Sequence, residues 1–341
     1  MSDHQVSPII LRGEYEEIMT ELPENSIDCV ITDLSTTPIF TSHIDMIYIK
    51  KVLQQTLRVQ KPGGLMFIIG DSHQNVMWRT LQLLDDIGFE MKQSFITYIY
   101  KQGDSPYVTP IYMVNKPPSE KTIVDNVLKW GTGAMNVDAC RIPFDGQEDT
   151  EIYDNNRRGI TERSTLKQGD RFTANKTYDG GWAKQDYTPE LPKGRFPANL
   201  IVSDGVLDKT YEKRTGKNTV KVGKSPNLGR HGIYGESGII DGVNYNDSGF
   251  ESRFFDLDVW FKEHIKLGTQ SNTNRFVRLT AYLIELGCHS DGIVLDPFAV
   301  TETTCMVAKL LNRKYIGITP NKRTSVESGE NYDKSGGEKT G

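Results

Sequence analysis

Short apolar runs alternate along this chain with amphipathic segments of helical period, a pattern typical of α/β proteins. The apolar runs predict strands at Ile9–Leu11, Cys29–Thr32, Gly64–Ile69, Ile96–Tyr100, Ile111–Val114, Asn199–Val202, Gly292–Leu295 and Tyr315–Ile318. The amphipathic segments predict helices at Ile44–Val59, Gln74–Ile87, Phe276–Leu286 and Thr303–Leu311. This alternation indicates a doubly wound, mainly parallel sheet. The pair Ile96–Tyr100 and Ile111–Val114 predicts an antiparallel hairpin that closes the sheet.

One strand end has the arrangement in which doubly wound proteins hold nucleotide-like ligands. The strand ends in Asp296-Pro297-Phe298, and a tight turn then leads into the helix predicted from Thr303. Glycine is normally needed twice in such a turn, because the backbone adopts strained angles and the ligand approaches it closely. Here those two places hold Val300 and Glu302.

With its flanks, the segment Gly292–Ile318 resembles motif I of the DNA amino-methyltransferases. These N6-adenine and N4-cytosine enzymes use S-adenosylmethionine (SAM), and their pattern is Asp-Pro-Phe-Ala-Gly-Ser-Gly-Thr-Thr followed, after a helix, by Ile-Gly-Ile-Glu. This chain has Thr319 where the family has the carboxylate that holds the ribose hydroxyls, and Glu302 adds negative charge near the place of the donor's own carboxylate. The resemblance implies a degenerate donor site at Asp296, Pro297, Phe298, Val300, Glu302, Thr303 and Thr319.

Two further family motifs are matched only in outline. The strand Cys29–Thr32 aligns with the one that ends in the catalytic Asp-Pro-Pro-Tyr, motif IV. In the family, its aspartate and first proline carbonyl accept hydrogen bonds from the amine of a flipped base, and its tyrosine stacks on the ring. This chain reads Asp33, Leu34, Ser35 and Thr36 there. The family's His-Pro-Thr-Val-Lys-Pro aligns with Ser271–Phe276, which retains Thr273 as a donor-site residue and one basic residue.

The resemblance extends over most of the chain. Family-like stretches are Arg58–Gly70, Lys129–Ile142, Gly194–Leu200 and Asp247–Phe255, the second of them typical of phage and prophage members. Motif IV precedes motif I, which is the permuted β-type order. The implied fold is a methyltransferase-type, Rossmann-like sheet with an inserted target-recognition region. The predicted domains are 1–140 and 251–320 as the two halves of the sheet domain, 141–250 as the basic insertion, and 321–341 as a disordered tail.

Composition agrees with one α/β domain plus an insertion, since 341 residues can bury a large core. The four cysteines have no metal-ligand spacing, so we expect reduced thiols and no metal site. No stretch resembles a signal peptide or a bilayer-spanning segment. We therefore expect a cytoplasmic protein, in a host cytoplasm if the chain is phage-encoded.

The net charge of −5 argues weakly against a nucleic-acid partner, but the basic residues are concentrated in two stretches. One, Lys213–His231, is rich in Gly, Asn and Ser, and the other, Asn155–Arg195, interleaves cations with aromatic residues. DNA contacts are predicted at Arg157, Arg158, Arg163, Arg171, Lys176, Trp182, Lys213, Arg214, Lys217, Lys221, Lys224 and Arg230. The alternatives are a solvated loop for these stretches, a turn or helix cap for Asp33, a plain strand end for Asp296, and caps of the following helix for Thr303 and Thr304.

Four functions remain open. The first is a pseudoenzyme without cofactor, which binds DNA and acts as a decoy or inhibitor of host restriction and defence, or as the silent partner of an active methyltransferase. The second is an active SAM-dependent DNA N6-adenine or N4-cytosine methyltransferase with divergent motifs. The third is different base-modifying chemistry on the same fold, for which Ser35, Thr36 and Glu302 are candidates only by location. The fourth is an interaction protein with no nucleic-acid role.

Overall fold

The strands and helices follow the alternation of the sequence. A computed structural model describes residues 9–34, 43–70, 73–103, 105–147, 149–151, 153–154, 191–208, 251–265 and 274–319. Its strands are β1 (Ile9–Arg12), β2 (Ile27–Asp33), β3 (Gln60–Ile69), β4 (Glu90–Gln102), β5 (Ser105–Asn115), β6 (Ile142–Pro143), β7 (Gly194–Arg195), β8 (Leu200–Val202), β9 (Ile293–Asp296) and β10 (Lys314–Thr319). Its helices are α1 (Tyr15–Glu21), α2 (His43–Val59), α3 (Gln74–Ile87), α4 (Ile123–Trp130), α5 (Leu257–His264), α6 (Arg275–Gly287) and α7 (Thr303–Leu310), with a 3-10 helix at Glu251–Phe254.

The central sheet has the order β1-β10-β9-β2-β3-β5-β4-β8, and β6 and β7 form a separate two-stranded ribbon. Strands β1, β10, β9, β2 and β3 are parallel to one another. Strand β5 is antiparallel to both β3 and β4, whereas β8 is parallel to β4. The predicted α/β class, the mainly parallel sheet and its antiparallel closing hairpin are therefore confirmed.

All the predicted strands and helices are present, but the sequence analysis missed α1, α4, α5 and the β6–β7 ribbon. Helix α4 exposes Val124 and Leu128, which are 67% and 81% accessible, so its apolar residues do not mark a buried stripe. Helices α1 and α5 span only two turns, which is too short for a clear 3.6-residue period. Helix α5 begins after Asp256, whose side chain caps the N–H groups of Asp258 and Val259.

The core lies on both faces of the sheet. On one face, Phe67 and Tyr98 of the sheet pack with Trp260 of α5 and Tyr282 of α6. On the other face, the apolar sides of α2 and α3 pack against β2 and β3. Strand β2 is buried over nearly its whole length because it is covered on both faces, which explains its continuous apolar sequence.

Helix α6 approaches the sheet closely at its last residue, Gly287. A Cβ at this position would lie 2.5 Å from Cε2 of Phe67 and 3.1 Å from Sγ of Cys29, both of which are fully buried. We expect Gly287→Ala to destabilise the protein by about 1–2 kcal/mol, because overpacking outweighs the gain in helix propensity. Urea unfolding of the variant checks this, and an unchanged or higher midpoint would show that the helix can move away from the sheet at little cost.

The buried side-chain amide of Asn126 in α4 joins the two loops that flank this helix to β3. The Nδ2 group of Asn126 donates to the carbonyl oxygens of Pro62 and Thr132, each at 2.8 Å, and its Oδ1 accepts from the N–H of Ser119 at 3.0 Å. Gly63 has φ +79°, and a Cβ there would lie 2.9 Å from Cα of Gly133. The family-like run Lys129–Ile142 therefore begins at the end of α4 and continues in a loop that packs against the first residues of β3, so this part has a structural role.

Two compact units are distinguished by their internal packing. The described residues of Met1–Pro143, Pro192–Val206 and Phe254–Gly341 form the first, which contains the whole central sheet. Those of Phe144–Leu191 and Leu207–Arg253 form the second, where Arg253 pairs with the buried Asp149 at 3.5 Å. Residues 192–206 lie within the stretch 141–250 of the sequence analysis, but they belong to the first unit because β8 pairs with β4.

No helix within the described ranges has the length and apolar character needed to cross a bilayer. Among these residues, no three His, Cys, Asp or Glu side chains are placed to hold a metal ion. Cys29, Cys140, Cys288 and Cys305 are free and buried. Burial raises the pKa of the Cys288 thiol, and also that of Cys305, to about 12, so neither is a thiolate nucleophile at neutral pH.

Candidate functional site

Two aspartates end neighbouring parallel strands at the carboxyl edge of the sheet. Asp33 is the last residue of β2 and Asp296 the last of β9. The chain proceeds from β9 to β10 on one side, and from β2 to β3 on the other, so the strand order reverses between them. In open α/β sheets, ligands bind in the crevice at such a reversal. The structure thus brings together the two aspartates that the sequence analysis selected.

Asp296 is a buried carboxyl, only 5% exposed. Its Oδ1 accepts a hydrogen bond from the N–H of Phe298 at 3.1 Å, and the hydroxyls of Thr304 and Thr32 lie close enough to lower its pKa. Loss of hydration raises the pKa of Asp296 to about 6, and the negative charge of Asp33 contributes in the same direction. The hydroxyl of Thr304, the N–H of Phe298 and the hydroxyl of Thr32 lower this pKa but do not offset the burial. At neutral pH the site therefore holds an unfavourably buried negative charge.

The threonines after the turn were expected to cap the following helix, and this prediction was wrong. Thr303 and Thr304 are the first two residues of α7, and the N-cap position is occupied by Glu302, whose side chain makes no capping bond. The Thr303 hydroxyl is 3.0 Å from that of Thr301, and the Thr304 hydroxyl lies beside Asp296, whose pKa it lowers.

The turn between β9 and α7 keeps a backbone suited to glycine although it has none. Glu302 has φ +55° and ψ 9°, the left-handed conformation that glycine adopts without strain. The N–H groups of Ala299, Val300 and Glu302 donate to the carbonyl oxygens of Ile318, Phe298 and Ala299, at 2.9, 2.8 and 3.3 Å. These three N–H groups therefore have acceptors inside the protein and are not directed at a ligand. Val300 is 62% exposed and places a branched side chain on the surface of the turn.

The charge of Glu302 is partly balanced by Arg12 at the end of β1. Nη2 of Arg12 lies 3.6 Å from Oε1 of Glu302, and about half of each side chain is exposed. Such an exposed pair contributes at most about 1 kcal/mol to stability. The pair joins the end of β1 to the turn before α7.

Thr319 ends β10 beside this pair, in register with Arg12. Its side chain is nearly buried, and its hydroxyl donates to the carbonyl oxygen of Leu11 at 3.5 Å. The backbone oxygen of Thr319 accepts from the N–H of Gly13 at 3.1 Å. Thr319, which the sequence analysis aligned with the family's ribose-binding carboxylate, is therefore engaged with the edge strand.

An aromatic cluster beside Asp296 was not expected from the sequence. The ring of Tyr15 meets that of Phe298 edge-on at 5.1 Å and lies 6.2 Å from that of Tyr48. Phe298 and Pro297 are buried, so these two predicted donor-site residues contribute to packing. Burial raises the pKa of the Tyr48 hydroxyl to about 12, which keeps it neutral.

The motif IV segment is placed only in part. Asp33 lies at the carboxyl edge, and the following Leu34 is buried, with its N–H bound to the carbonyl oxygen of Ile69 at 2.9 Å. Ser35 and Thr36 lie outside the described residues. Leu34 therefore continues the core of the sheet in the place where the family has a proline.

The start of α6 adds a second cluster near Asp33. Thr273 is outside the described residues, but Asn274 caps the helix by accepting from the N–H of Phe276. The guanidinium of Arg275 lies 3.9 Å from the ring centroid of Tyr100 on β4. This contact joins residues far apart in sequence, and the sequence analysis did not predict it.

The predicted DNA contacts all fall outside the described part of the chain. This applies to Arg157, Arg158, Arg163, Arg171, Lys176, Trp182, Lys213, Arg214, Lys217, Lys221, Lys224 and Arg230. They stay predictions, based on charge and on the position of the insertion.

Comparison with solved structures gives DNA methyltransferases. TTHA0409, a putative DNA modification methylase from Thermus thermophilus that has also been solved with S-adenosyl-L-methionine, matches with 15% identity, a TM-score of 0.45 and coverage of 95% of this chain and 93% of that one. The cytosine-N4-specific PvuII DNA methyltransferase matches with 12% identity, a TM-score of 0.43, and coverage of 93% and 86%. The M1.HpyAVI–SAM complex matches with 12% identity, a TM-score of 0.38, and coverage of 94% and 98%.

No curated protein matches the sequence. A family model described as DNA methylase, covering N6 and N4 methyltransferases, matches residues 46–325. This range includes β3, the whole closing hairpin and the turn after β9. The chain belongs to the N6/N4 DNA methylase family.

Proposed function

We propose that this chain is a catalytically degenerate DNA methylase, a pseudoenzyme that keeps the scaffold and binds DNA but neither binds SAM nor transfers a methyl group. The observation on which the proposal rests is Glu302, which occupies a left-handed position of the donor turn with its side chain paired to Arg12. A glycine there lets a ligand lie against the backbone, whereas a Cβ and a carboxylate occupy that space. The negative charge also repels a donor that has its own carboxylate.

The other residues that the family pattern assigns to SAM binding support the same proposal. The N–H groups of Ala299, Val300 and Glu302 are used within the protein, so they do not form a cradle for an anionic group. Thr319 is bound to Leu11 and has no carboxylate to accept hydrogen bonds from ribose hydroxyls. The residues present therefore do not fit SAM in the way that the family pattern requires.

Membership of a DNA methylase family supports DNA as the partner. We infer that the basic residues of the insertion supply the phosphate contacts, since Lys and Arg side chains that neutralise phosphates release counterions from DNA on binding. A DNA-binding protein without transfer would act as a decoy or inhibitor of a restriction or defence system, or as the silent partner of an active methyltransferase. This role belongs in a cytoplasm, that of the host if the chain is phage-encoded.

One observation favours an active, divergent N6-adenine or N4-cytosine methyltransferase as the second candidate. Asp33 and Asp296 both lie at the strand reversal, and the turn keeps its left-handed residue. Such an enzyme would have to hold SAM with side chains other than those of the family pattern.

We expect DNA from a methylation-deficient host expressing this protein to contain no N6-methyladenine or N4-methylcytosine above the empty-vector level. The reason is that near-attack alignment of donor and amine needs contacts that are altered here. Mass spectrometry of digested nucleosides gives the measurement, with an active family member expressed in parallel as the positive control. Methylated bases at a defined sequence would instead establish the second candidate.

A further inference from the structure

The outer faces of α2 and α3 expose two large apolar side chains. Trp78 of α3 is 66% exposed, more than any other aromatic side chain in the described part of the chain, and Ile47 of α2 is 50% exposed. Tryptophan is highly buried on average, so an indole that is two-thirds exposed is unusual. Its position indicates a contact with another molecule.

Helix geometry brings these two side chains to the same level. Both helices begin at the carboxyl edge of the sheet, run toward its amino edge and pack against each other. Leu57 of α2 lies beside the end of α3, since its Cδ2 is 3.7 Å from the place of a Cβ at Gly88. Ile47 precedes Leu57 by ten residues, and Trp78 precedes Gly88 by ten, a rise of about 15 Å on each helix. Ile47 and Trp78 are therefore level with each other, toward the carboxyl edge where Asp33 lies.

Two cations accompany the apolar side chains. Lys50 and Arg79 are exposed, and neither forms an ion pair or a hydrogen bond with another residue in the described ranges. The acids of α3, Asp85 and Asp86, are in its last turn, toward the amino edge, and the acid of α2, Asp45, is in its first turn. The α2–α3 patch, formed by Ile47, Lys50, Trp78 and Arg79, thus combines apolar surface with unpaired positive charge.

Lys50 lies on the side of α2 that faces α3. The next residue, Lys51, pairs at 3.2 Å with Glu16 of α1, which packs on the other side of α2. Leu57, seven residues after Lys50, lies on the same side of the helix as Lys50 and contacts the end of α3. The charge of Lys50 is therefore directed toward Arg79 and away from the acidic helix α1.

We propose that the α2–α3 patch binds duplex DNA, with Lys50 and Arg79 on phosphates and Trp78 packed against the sugar-phosphate backbone. Most contacts that position a protein on a duplex go to phosphate and sugar, and unpaired cations supply them. The patch lies toward the edge at which Asp33 and Asp296 end their strands, so a duplex held at that edge can reach it. This inference rests on the DNA binding of the proposed function. It assigns a DNA contact to the sheet domain, in addition to those predicted in the insertion.

The test measures fluorescence anisotropy of a labelled DNA duplex with the full-length protein, at several salt concentrations. Arg79→Gln removes one phosphate contact, so we expect weaker binding and a slope of log K against log salt that is smaller in magnitude by about 0.9. Trp78→Ala removes apolar contact area, and we expect at least about fivefold weaker binding at every salt concentration with an unchanged slope. Because both side chains are exposed, these variants should fold as the wild type does.

Lys121→Gln and Leu128→Ala are the matched controls. Both residues are exposed in or beside α4, which follows the end of β5 at the amino edge of the sheet. They remove a cation and an apolar side chain of the same kinds from the opposite edge. We expect both controls to bind the duplex with the wild-type affinity and salt slope.

Wild-type affinity and slope in both Arg79→Gln and Trp78→Ala would overturn the patch as a DNA contact and would indicate a protein partner instead, while the proposed function would stand. Equal losses in the two controls would also overturn it, because the effect would then not belong to this surface. A wild-type protein that binds no duplex would contradict both the patch and the DNA-binding part of the proposed function. SAM binding is tested separately, by titration.

Discussion

Replacing Asp296 by asparagine is expected to stabilise the protein by roughly 3 kcal/mol at pH 8, because asparagine cannot carry the buried charge. The pKa of this carboxyl is about 6 in the folded protein, against about 3.9 in an unfolded chain. Between these values the folded state binds more protons than the unfolded state. The contribution of Asp296 to stability therefore falls as the pH rises from about 4 to about 6, and stays low above that range.

The measurement is urea unfolding of wild type and Asp296→Asn from pH 4 to pH 8. The difference between the two proteins should be close to zero at pH 4, and should grow to its full value near pH 6. Asp291→Asn is the matched control, since Asp291 is exposed and its left-handed backbone also suits asparagine. A difference that is constant with pH would show that the charge of Asp296 is not the cause.

This prediction bears on function because an unfavourable buried charge can be relieved by a ligand. A group that donates hydrogen bonds to Asp296 would lower its pKa and stabilise the folded state most above pH 6. Any ligand of this site should therefore raise the stability of wild type more than that of Asp296→Asn.

Replacing Asn126 by alanine is expected to destabilise the protein by about 3 kcal/mol, since a fully buried group that makes several hydrogen bonds is removed. The change leaves the N–H of Ser119 and the carbonyl oxygen of Thr132 without their present partners. The carbonyl of Pro62 keeps the hydroxyl of Thr132 at 2.7 Å, which limits the loss. The loops before and after α4 should then separate from the turn at Gly63.

Chemical denaturation gives this free energy, and Asn136→Ala is the matched control because Asn136 is an exposed asparagine of the same family-like run. We expect the control to lie within about 0.5 kcal/mol of wild type. Equal effects of the two substitutions would contradict a central role for the buried amide. Hydrogen exchange at Ser119 would give a local check, since its N–H donates to Asn126.

The sheet could be predicted because its strands are covered on both faces, which leaves continuous apolar runs such as that of β2. The two aspartates could be located for the same reason, since each directly follows such a run. Helix α4 could not be predicted, because its apolar residues Val124 and Leu128 face solvent. The position of α4 is fixed by Asn126, which bonds to Pro62 in β3 and to the two loops that flank the helix.

The errors and omissions at the site come from contacts between distant segments. The cap prediction failed because Thr304 lies inside the first turn of α7, where its hydroxyl is beside Asp296 at the end of β9. The contact of Arg275 with Tyr100 joins the start of α6 to β4, so neither residue alone indicates a site. The left-handed backbone of Glu302 agrees with the requirement for glycine that was read from the sequence.

The most direct test of whether the protein has lost SAM binding is a calorimetric titration of the purified protein with SAM, up to millimolar concentration, with and without duplex DNA. We predict no saturable heat in either case, because Glu302 fills the donor turn and Thr319 lacks the ribose-binding carboxylate. An active family member titrated under the same conditions is the positive control. Saturable binding by this protein would contradict the pseudoenzyme and would make the divergent methyltransferase the better account.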